Sequence, residues 1–230
     1  SALSFDGTGD SVDFPTTYTS LDNIPLNNFT VEWWQIKPSL PEDYWNDNYF
    51  GTYGCTSDGF QGYSTGNQGN VTLRVDYSST DSTTTTSSTA PLDEWAHIAI
   101  VFDATSKSAR IYINGTEASY STRTPGSGTY GGDSVSFKIG ALGCTSGWYR
   151  GLMDEFRISN VARYSGSFTP QTTPFIRDEY TKLLLHFDES GSDPRQSGKV
   201  IDDNNFITKQ DAFDRLDQSM AGIFTKHDYR

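Results

Sequence analysis

Residues 151–159 (GLMDEFRIS) contain the residue types most suggestive of chemistry in this 230-residue chain. In a strand, successive side chains alternate between two faces. The alternation predicts one face made of Leu152, Asp154, Phe156 and Ile158, and an opposite face made of Met153, Glu155 and Arg157. Asp154 is therefore expected to point with the apolar set. Because an isolated buried carboxylate costs several kcal/mol, Asp154 must be hydrogen-bonded, ion-paired or coordinated to a cation.

Composition narrows the classes of partner. The net charge is −12 and the pI is about 4.5, and no basic cluster interleaved with aromatic residues occurs, which argues against nucleic acid binding. No apolar run approaches the roughly 18 residues that a membrane-spanning helix needs. The chain starts at Ser1 without a preceding Met, which predicts a processed chain or a piece of a longer product.

The order of strands and turns predicts an all-β protein. Gly, Ser, Thr and aromatic residues are abundant, which favours strands and turns over helices. Alternating segments separated by turn residues are typical of an antiparallel sandwich of two sheets. The segments interpreted as strands are 29–38, 70–78, 94–103, 109–117, 135–143, 151–159 and 182–190; residues 3–14 are interpreted as a hairpin, and residues 41–51 and the Ser/Thr tract 78–89 as loops.

The chain divides near residue 190. We expect residues 1–190 to form the sandwich domain and residues 191–230 to form a linker and docking appendage. Within the appendage, apolar residues of 210–224 recur at helical spacing, which predicts one helix. Such a helix is marginal alone and must dock on the sandwich or on another subunit.

The two cysteines lie in matching contexts, Gly-Cys-Thr-Ser around Cys55 and around Cys144. The match predicts neighbouring loops and a disulfide, which would imply an oxidising compartment; two buried thiols are the alternative. Three sequons, at Asn28, Asn70 and Asn114, are candidate glycosylation sites, although this number arises by chance in so Ser- and Thr-rich a chain.

Catalytic patterns are absent from the sequence. Retaining glucan hydrolysis needs two carboxylates at a fixed separation on one face, whereas Asp154 and Glu155 are adjacent and face opposite ways. His97 and His186 lie inside strands and His227 lies near the end, without metal-ligand spacing. We therefore predict that the protein is not an enzyme and keep a diverged glycoside hydrolase as a minor alternative.

Carbohydrate binding needs aromatic faces together with hydroxyl, amide or carboxylate groups, and two segments, 44–49 and 148–149, offer them. If the cysteines are neighbours, residues near 53–63 and 145–150 converge, which adds Tyr53, Asp58 and Tyr63 to one rim. Packing in the core or contact with an adjacent subunit is the alternative for each aromatic residue. The candidate ligand-binding residues are Tyr44, Trp45, Asn46, Asp47 and Tyr49, then Tyr53, Asp58 and Tyr63, and finally Trp148 and Tyr149.

Several strings together resemble the laminin G-like group of the concanavalin A-like lectin/glucanase superfamily. They are ALSFDGTGDSVDF, FTVEWWQIKP, WAHIAIVFD, ARIYINGT, FKIG, GLMDEFRISNVARY and FTP, and they cover about residues 2–188 in the family's order. The resemblance implies a jelly-roll sandwich of two antiparallel sheets. It also implies one structural calcium ion, held by Asp6 and Asp154 with Gly7 and Asp10 as further oxygen donors. The alternative is that Asp154 caps backbone amides of the first hairpin without a metal.

These observations predict a non-catalytic recognition or structural module. The first hypothesis is a virion surface or decoration protein that binds glycans, oligomeric or part of a larger assembly. The alternative is a secreted or cell-surface adhesin domain released from a longer chain. Both place the protein outside a cell, with glycans or other subunits as partners and neither nucleic acid nor a membrane span.

Overall fold

The structure is a computed structural model that describes residues 2–15, 17–39, 47–54, 58–65, 69–142 and 147–187. These residues form two antiparallel sheets that pack face to face, which confirms the predicted all-β sandwich. The appendage 191–230 and its predicted helix lie outside the described residues, and so do residues 188–190. In the part that is described, no helix is long and apolar enough to span a membrane.

The first sheet is built around its longest strand, β13 (Arg150–Ser159). This strand pairs with β3 (Phe29–Ile36) along one edge, and with β1 (Leu3–Asp6) followed by β14 (Thr181–Leu185) along its other edge. In spatial order the strands are β1 (Leu3–Asp6), β13 (Arg150–Ser159), β3 (Phe29–Ile36), β8 (Trp95–Asp103), β9 (Ser108–Ile113) and β10 (Thr116–Glu117), with β14 (Thr181–Leu185) beside β13.

The second sheet also contains seven strands. Their spatial order is β11 (Tyr120–Thr124), β7 (Ser82–Thr86), β6 (Thr72–Val75), β5 (Phe60–Ser64), β4 (Asp47–Gly51), β12 (Lys138–Ile139) and β2 (Val12–Asp13). Two short 3-10 helices, Thr19–Leu21 and Ile24–Leu26, connect β2 to β3.

Aromatic rings fill the space between the sheets. Trp33 and Phe156 come from the first sheet and Phe50 from the second, and all three are fully buried. The centroid of Phe50 lies 5.8 Å from that of Trp33 and 5.9 Å from that of Phe156, both edge-on. Burial of each such ring stabilises the fold by about 1.5–3 kcal/mol, so this cluster holds the two sheets together.

The prediction that residues 3–14 form a hairpin is wrong. β1 pairs with β13 in the first sheet, whereas β2 pairs with β12 in the second. The glycine-rich turn between them crosses from one sheet to the other instead of reversing within one. β12 and β13 are also neighbours in sequence, but they belong to different sheets and therefore do not pair.

The Ser/Thr tract 78–89 is not a loop throughout, because it contains β7. Ser82, Thr84 and Thr86 face the core and are buried. The Oγ1 atom of Thr86 donates to the carbonyl of Ser88 at 2.6 Å. A threonine hydroxyl that is satisfied by backbone can be buried at little cost, and its branched Cβ favours a strand.

A β-bulge changes the faces of β13. Asp154 lies opposite Trp34, but Arg157 lies opposite Glu32, so β13 carries one extra residue between these pairs. Glu155 adopts φ +51° at this point. The core then receives Met153, Phe156 and Ile158, and the prediction that Asp154 points with the apolar residues is wrong.

Residues 160–180, which we call the strap, cross the outer face of the first sheet. The amide of Phe168 donates to the carbonyl of Gly115 at 2.9 Å. Nε1 of Trp34 donates to the carbonyl of Gln171 at 3.2 Å, and the amide of Phe175 donates to Oε2 of Glu155 at 2.6 Å. The strap therefore covers much of the outer face of the first sheet.

Glu32 is the centre of the polar layer under the strap and has no exposed surface. Its Oε1 accepts hydrogen bonds from Nε and Nη2 of Arg157 at 2.9 and 2.7 Å, and its Oε2 accepts one from the hydroxyl of Tyr164 at 2.7 Å. Nε2 of His97 lies 3.3 Å from Oε2. Burial raises the pKa of Glu32, but the hydrogen bond to His97 and the charge of Arg157 outweigh it and lower the pKa below its usual value.

Candidate functional site

The outer face of the second sheet carries two cross-strand rows of polar and aromatic side chains. Phe60, Leu73 and Val75 point into the core, so the residues that alternate with them point outward. The first row consists of Asn48, Tyr63, Thr72 and Thr85, and the second of Gln61, Arg74 and Thr83. Opposed residues in such rows have Cβ atoms about 5 Å apart, which brings hydroxyl, amide and aromatic groups into one surface.

Arg74 is the most strongly bound side chain of this face. Its Nε lies 2.7 Å from Oδ1 of Asp76 and its Nη2 donates to Oδ2 of Asp81 at 2.9 Å. The guanidinium carbon lies 5.2 Å from the centroid of the Tyr53 ring. The contact with Arg74 fixes the position of the Tyr53 ring. Tyr53 and Tyr63 are both half-buried, so part of each ring remains exposed.

Two carboxylates, Asp76 and Asp81, pair with Arg74 and make this part of the face acidic. Burial raises the pKa of Asp76 to about 6. The charge of Arg74 opposes this rise, and the charges of Asp81 and Asp58 add to it. Asp58 itself is exposed. At neutral pH, Asp76 and Asp81 therefore share the guanidinium of Arg74. This site has more carboxylate oxygen atoms than cationic groups to pair with them.

Trp148 lies at one edge of this face. The carbonyl of Gly147 accepts hydrogen bonds from the backbone amide of Asn48 at 3.0 Å and from its Nδ2 at 2.6 Å. Because Asn48 is opposite Tyr63 in the register, residues 147–149 begin next to the first row. Trp148 is half-buried there.

Four of the predicted ligand-binding residues thus lie on or beside this face: Tyr53, Asp58, Tyr63 and Trp148. Sequence reasoning missed the half-buried Arg74 and Asp81, and also Asp76, which pairs with Arg74 but is itself only 4 % exposed. The alternation of residues 70–78 is the signal that could have found Arg74, since its apolar face predicts that Arg74 points the other way. The positions of its partners Asp76 and Asp81 depend on the turn that follows β6, and no sequence pattern predicts the conformation of that turn.

Three other predicted ligand-binding residues are buried, and for them the prediction is wrong. Tyr49 and Tyr149 have no exposed surface, because their rings pack against each other with centroids 5.5 Å apart. Asp47 is 3 % exposed and pairs with Lys37 inside the sandwich. The segment 41–51 was interpreted as a loop, but its second half is the buried strand β4, whose side chains fill the core.

Several predicted residues lie outside the described residues. These are Tyr44, Trp45 and Asn46 among the ligand candidates, and both cysteines, Cys55 and Cys144. Their predicted roles, including the disulfide, stay predictions.

The residues predicted to hold calcium do not converge. Asp6 lies opposite Arg150 on β13, so Asp154 is four residues further along that strand, or about 13 Å. Asp6 and Asp10 instead order the turn after β1: Oδ1 of Asp6 accepts from the amide of Thr8 at 2.6 Å, and Oδ2 of Asp10 accepts from the amide of Asp6 at 2.8 Å.

Asp154 accepts a hydrogen bond from the amide of its neighbour Glu155 at 2.9 Å, within β13 itself; its capping of amides in residues 3–14 stays a prediction. Within the described ranges, no three His, Cys, Asp or Glu residues form a group that could hold a metal ion. A site made jointly of Asp6, Gly7, Asp10 and Asp154 does not fit this geometry. Calcium binding itself stays a prediction.

The three sequon asparagines differ in accessibility. Asn28 and Asn114 are exposed, whereas Asn70 is half-buried and its Nδ2 donates to the carbonyl of Thr86 at 2.7 Å. A glycan on Asn70 would have to disrupt this hydrogen bond. Glycosylation stays a prediction at all three positions.

Solved structures of other proteins share this fold at low sequence identity. A putative carbohydrate binding protein from Bacteroides ovatus has a TM-score of 0.56 and 18% identity, over 82% of this chain and 52% of the other. The CBM40 domain of the Ruminococcus gnavus IT-sialidase has a TM-score of 0.53 and 14% identity, over 71% of this chain and 91% of the domain. Domains LG4-5 of the mouse laminin α1 chain have a TM-score of 0.51 and 13% identity, over 74% of this chain and 44% of the other.

The present chain spans about half the length of the Bacteroides protein. Comparison with curated protein sequences gives no match. The family comparison is more specific, because residues 6–166 match a laminin G-type model described as the concanavalin A-like lectin/glucanases superfamily. This match includes more than half of the chain and both sheets of the sandwich. The chain therefore belongs to the concanavalin A-like lectin/glucanase superfamily.

Proposed function

We propose that the protein is a non-catalytic glycan-binding module and that the outer face of its second sheet is the binding surface. The observation that carries this proposal is the position of the half-buried Tyr53 and Tyr63 rings beside Arg74 on the outer face of the second sheet. Tyrosine rings bind the apolar faces of sugars, and amide and carboxylate groups bind hydroxyls. Similar proteins that are named as carbohydrate-binding support the same class of ligand.

Neutral sugars fit this surface better than acidic ones. Recognition of a sugar carboxylate needs a cation that is free to pair with it. Arg74 is already held by Asp76 and Asp81, and the net charge of −12 repels anions at long range. The surplus carboxylate oxygens instead accept hydrogen bonds from sugar hydroxyls.

A non-catalytic role agrees with the chemistry of the face. Its carboxylates near Arg74 are engaged in holding the guanidinium, so they are not arranged as an acid and a nucleophile on either side of a scissile bond. The setting that we propose is extracellular, either on a virion surface as a decoration protein or on a secreted or cell-surface adhesin. Assembly with other subunits is part of the same proposal.

Binding to an array of neutral and sialylated glycans tests the proposal. We expect wild-type protein to bind a subset of the neutral glycans, and Tyr63→Ala and Tyr53→Ala each to weaken binding about tenfold, because an aromatic platform contributes about 1–1.5 kcal/mol. Trp95→Ala is the matched control, since Trp95 is 43 % exposed on the other sheet. Binding that survives both tyrosine substitutions, or that is lost only in the control, would contradict the proposed surface.

The same glycans, incubated with the protein and analysed by mass spectrometry, test the absence of catalysis. We expect every bound glycan to be recovered intact. Cleavage products that disappear on substitution of a single carboxylate would show that the module is an enzyme.

A further inference from the structure

Lys37 and Asp47 form a buried pair that glycan binding does not use. Lys37 directly follows β3 of the first sheet, and Asp47 is the first residue of β4 in the second. The two side chains are 1 % and 3 % exposed, and Nζ of Lys37 contacts Oδ2 of Asp47. The pair therefore bridges the two sheets from inside the sandwich.

Buried aromatic rings lie beside this pair. Nζ of Lys37 lies 5.9 Å from the centroid of the Tyr49 ring, which in turn packs against Trp33 at 5.0 Å. The hydroxyl of Ser64 is 3.1 Å from Nζ. In such a low-dielectric environment the charged forms of both residues are disfavoured.

The protonation equilibria reflect this burial. Desolvation lowers the pKa of Lys37 even though Asp47 opposes it, and raises the pKa of Asp47 even though Lys37 opposes it. Both shifts favour a neutral amine in contact with a neutral carboxylic acid. A desolvated, neutral lysine is a nucleophile, and a protonated carboxyl group can lose its hydroxyl as water.

We propose that Lys37 and Asp47 condense into an intramolecular amide, an isopeptide cross-link between the two sheets. The lone pair of Nζ attacks Cγ of Asp47, and a new N–C bond forms. A proton passes from the nitrogen to the departing hydroxyl through the Oγ atom of Ser64, the C–O bond breaks and one water molecule leaves. The step needs no oxidant, reductant or cofactor.

The intact mass of the purified, folded protein tests this proposal. After reduction, so that a disulfide does not contribute, we expect a mass lower by one water molecule than that of the linear chain. Lys37→Met keeps the volume of the side chain but has no amine, and we expect it to restore the full mass. A wild-type protein at full mass would overturn the proposal, whether or not the variant folds.

The chain contains its own control pair. Lys138 contacts Asp13 across β12 and β2, but these side chains are 20 % and 34 % exposed, so they are less desolvated than Lys37 and Asp47. We expect Lys138→Met to retain the mass deficit. Loss of the mass deficit in this variant would mean that Lys138, and not Lys37, forms the cross-link.

Peptide mapping separates the cross-link from another reaction that removes water. Asp-Gly sequences, such as Asp6-Gly7, can also lose one water molecule by forming a succinimide. Chymotrypsin cleaves after Tyr44 and Trp45, which lie between the two partners in sequence. A cross-linked protein yields one branched species that joins the Lys37 and Asp47 peptides; two separate peptides would overturn the proposal.

Discussion

Oε1 of Glu155 lies 2.7 Å from Nδ1 of His186, while Oε2 of the same side chain accepts the amide of Phe175 at 2.6 Å. One carboxylate at the β13 bulge thus joins the strap to the residue that follows β14. Glu155 is 8 % exposed, so both contacts are shielded from water. The bulge is the reason that this acid points under the strap.

Glu155→Ala is expected to destabilise the fold by about 1–3 kcal/mol, because it leaves the buried amide of Phe175 without an acceptor. Urea unfolding at constant pH measures the change. Glu94→Ala is the control, since Glu94 is exposed and should change the free energy of unfolding by less than about 0.5 kcal/mol. Equal effects of the two substitutions would argue against the role of Glu155.

Arg157→Met is expected to cost more, about 3–5 kcal/mol, because it removes the bidentate partner of a fully buried carboxylate. The double variant Glu32→Leu/Arg157→Met should recover much of this loss, since it buries no unpaired charge. A double-mutant cycle by urea unfolding gives the coupling energy. Additive effects of the two substitutions would show that the pair does not act as a unit.

Local signals in the sequence predicted the strands well where one face is apolar and the register is simple. β8 and β9 form and pair where their apolar segments predict strands. The Asp154 prediction failed because one inserted residue reverses the parity of a strand, and no local pattern marks the insertion.

The candidate site was predicted only in part for a similar reason. Tyr53 and Tyr63 were recognised by residue type, but Arg74 gains its meaning from Asp76, Asp81 and the Tyr53 ring, which only the folded sheet brings together. Tyr49 resembles a ligand-binding residue in sequence, because polar residues surround it. Its burial results from the pairing of β4 inside the sheet, a long-range contact that composition does not report.

Gly115→Ala is expected to detach the strap. Gly115 adopts φ +77°, and an added Cβ would lie 1.9 Å from the carbonyl oxygen of Phe168, so the strap would have to move. Limited trypsin digestion measures the effect as faster cleavage at Arg163 within the strap. Gly132→Ala is the matched control, because its φ of +94° carries the same backbone penalty but nothing lies within 4 Å.

The contrary result would be as informative. Equal cleavage rates at Arg163 in the two glycine variants would mean that backbone strain alone, rather than the contact with Phe168, determines the stability of the strap.

Asp76 is expected to make stability depend on pH in a defined window. Its pKa is about 6 in the folded protein and 3.8 in the unfolded chain, so between these values the folded state holds a proton that the unfolded state releases. The free energy of unfolding therefore falls as pH rises from about 4 to about 6, by about 1–2 kcal/mol for this group. Asp76→Asn lacks this contribution but keeps a similar volume.

Urea unfolding of the wild-type protein and of Asp76→Asn across pH 4–7 isolates the contribution, since all other titrating groups are shared. We expect the stability of the variant relative to wild type to increase with pH up to about 6 and then to level off. A difference that is constant with pH would show that Asp76 titrates normally. A difference of opposite slope would show that the charge of Arg74 outweighs the burial of the carboxyl group and lowers its pKa.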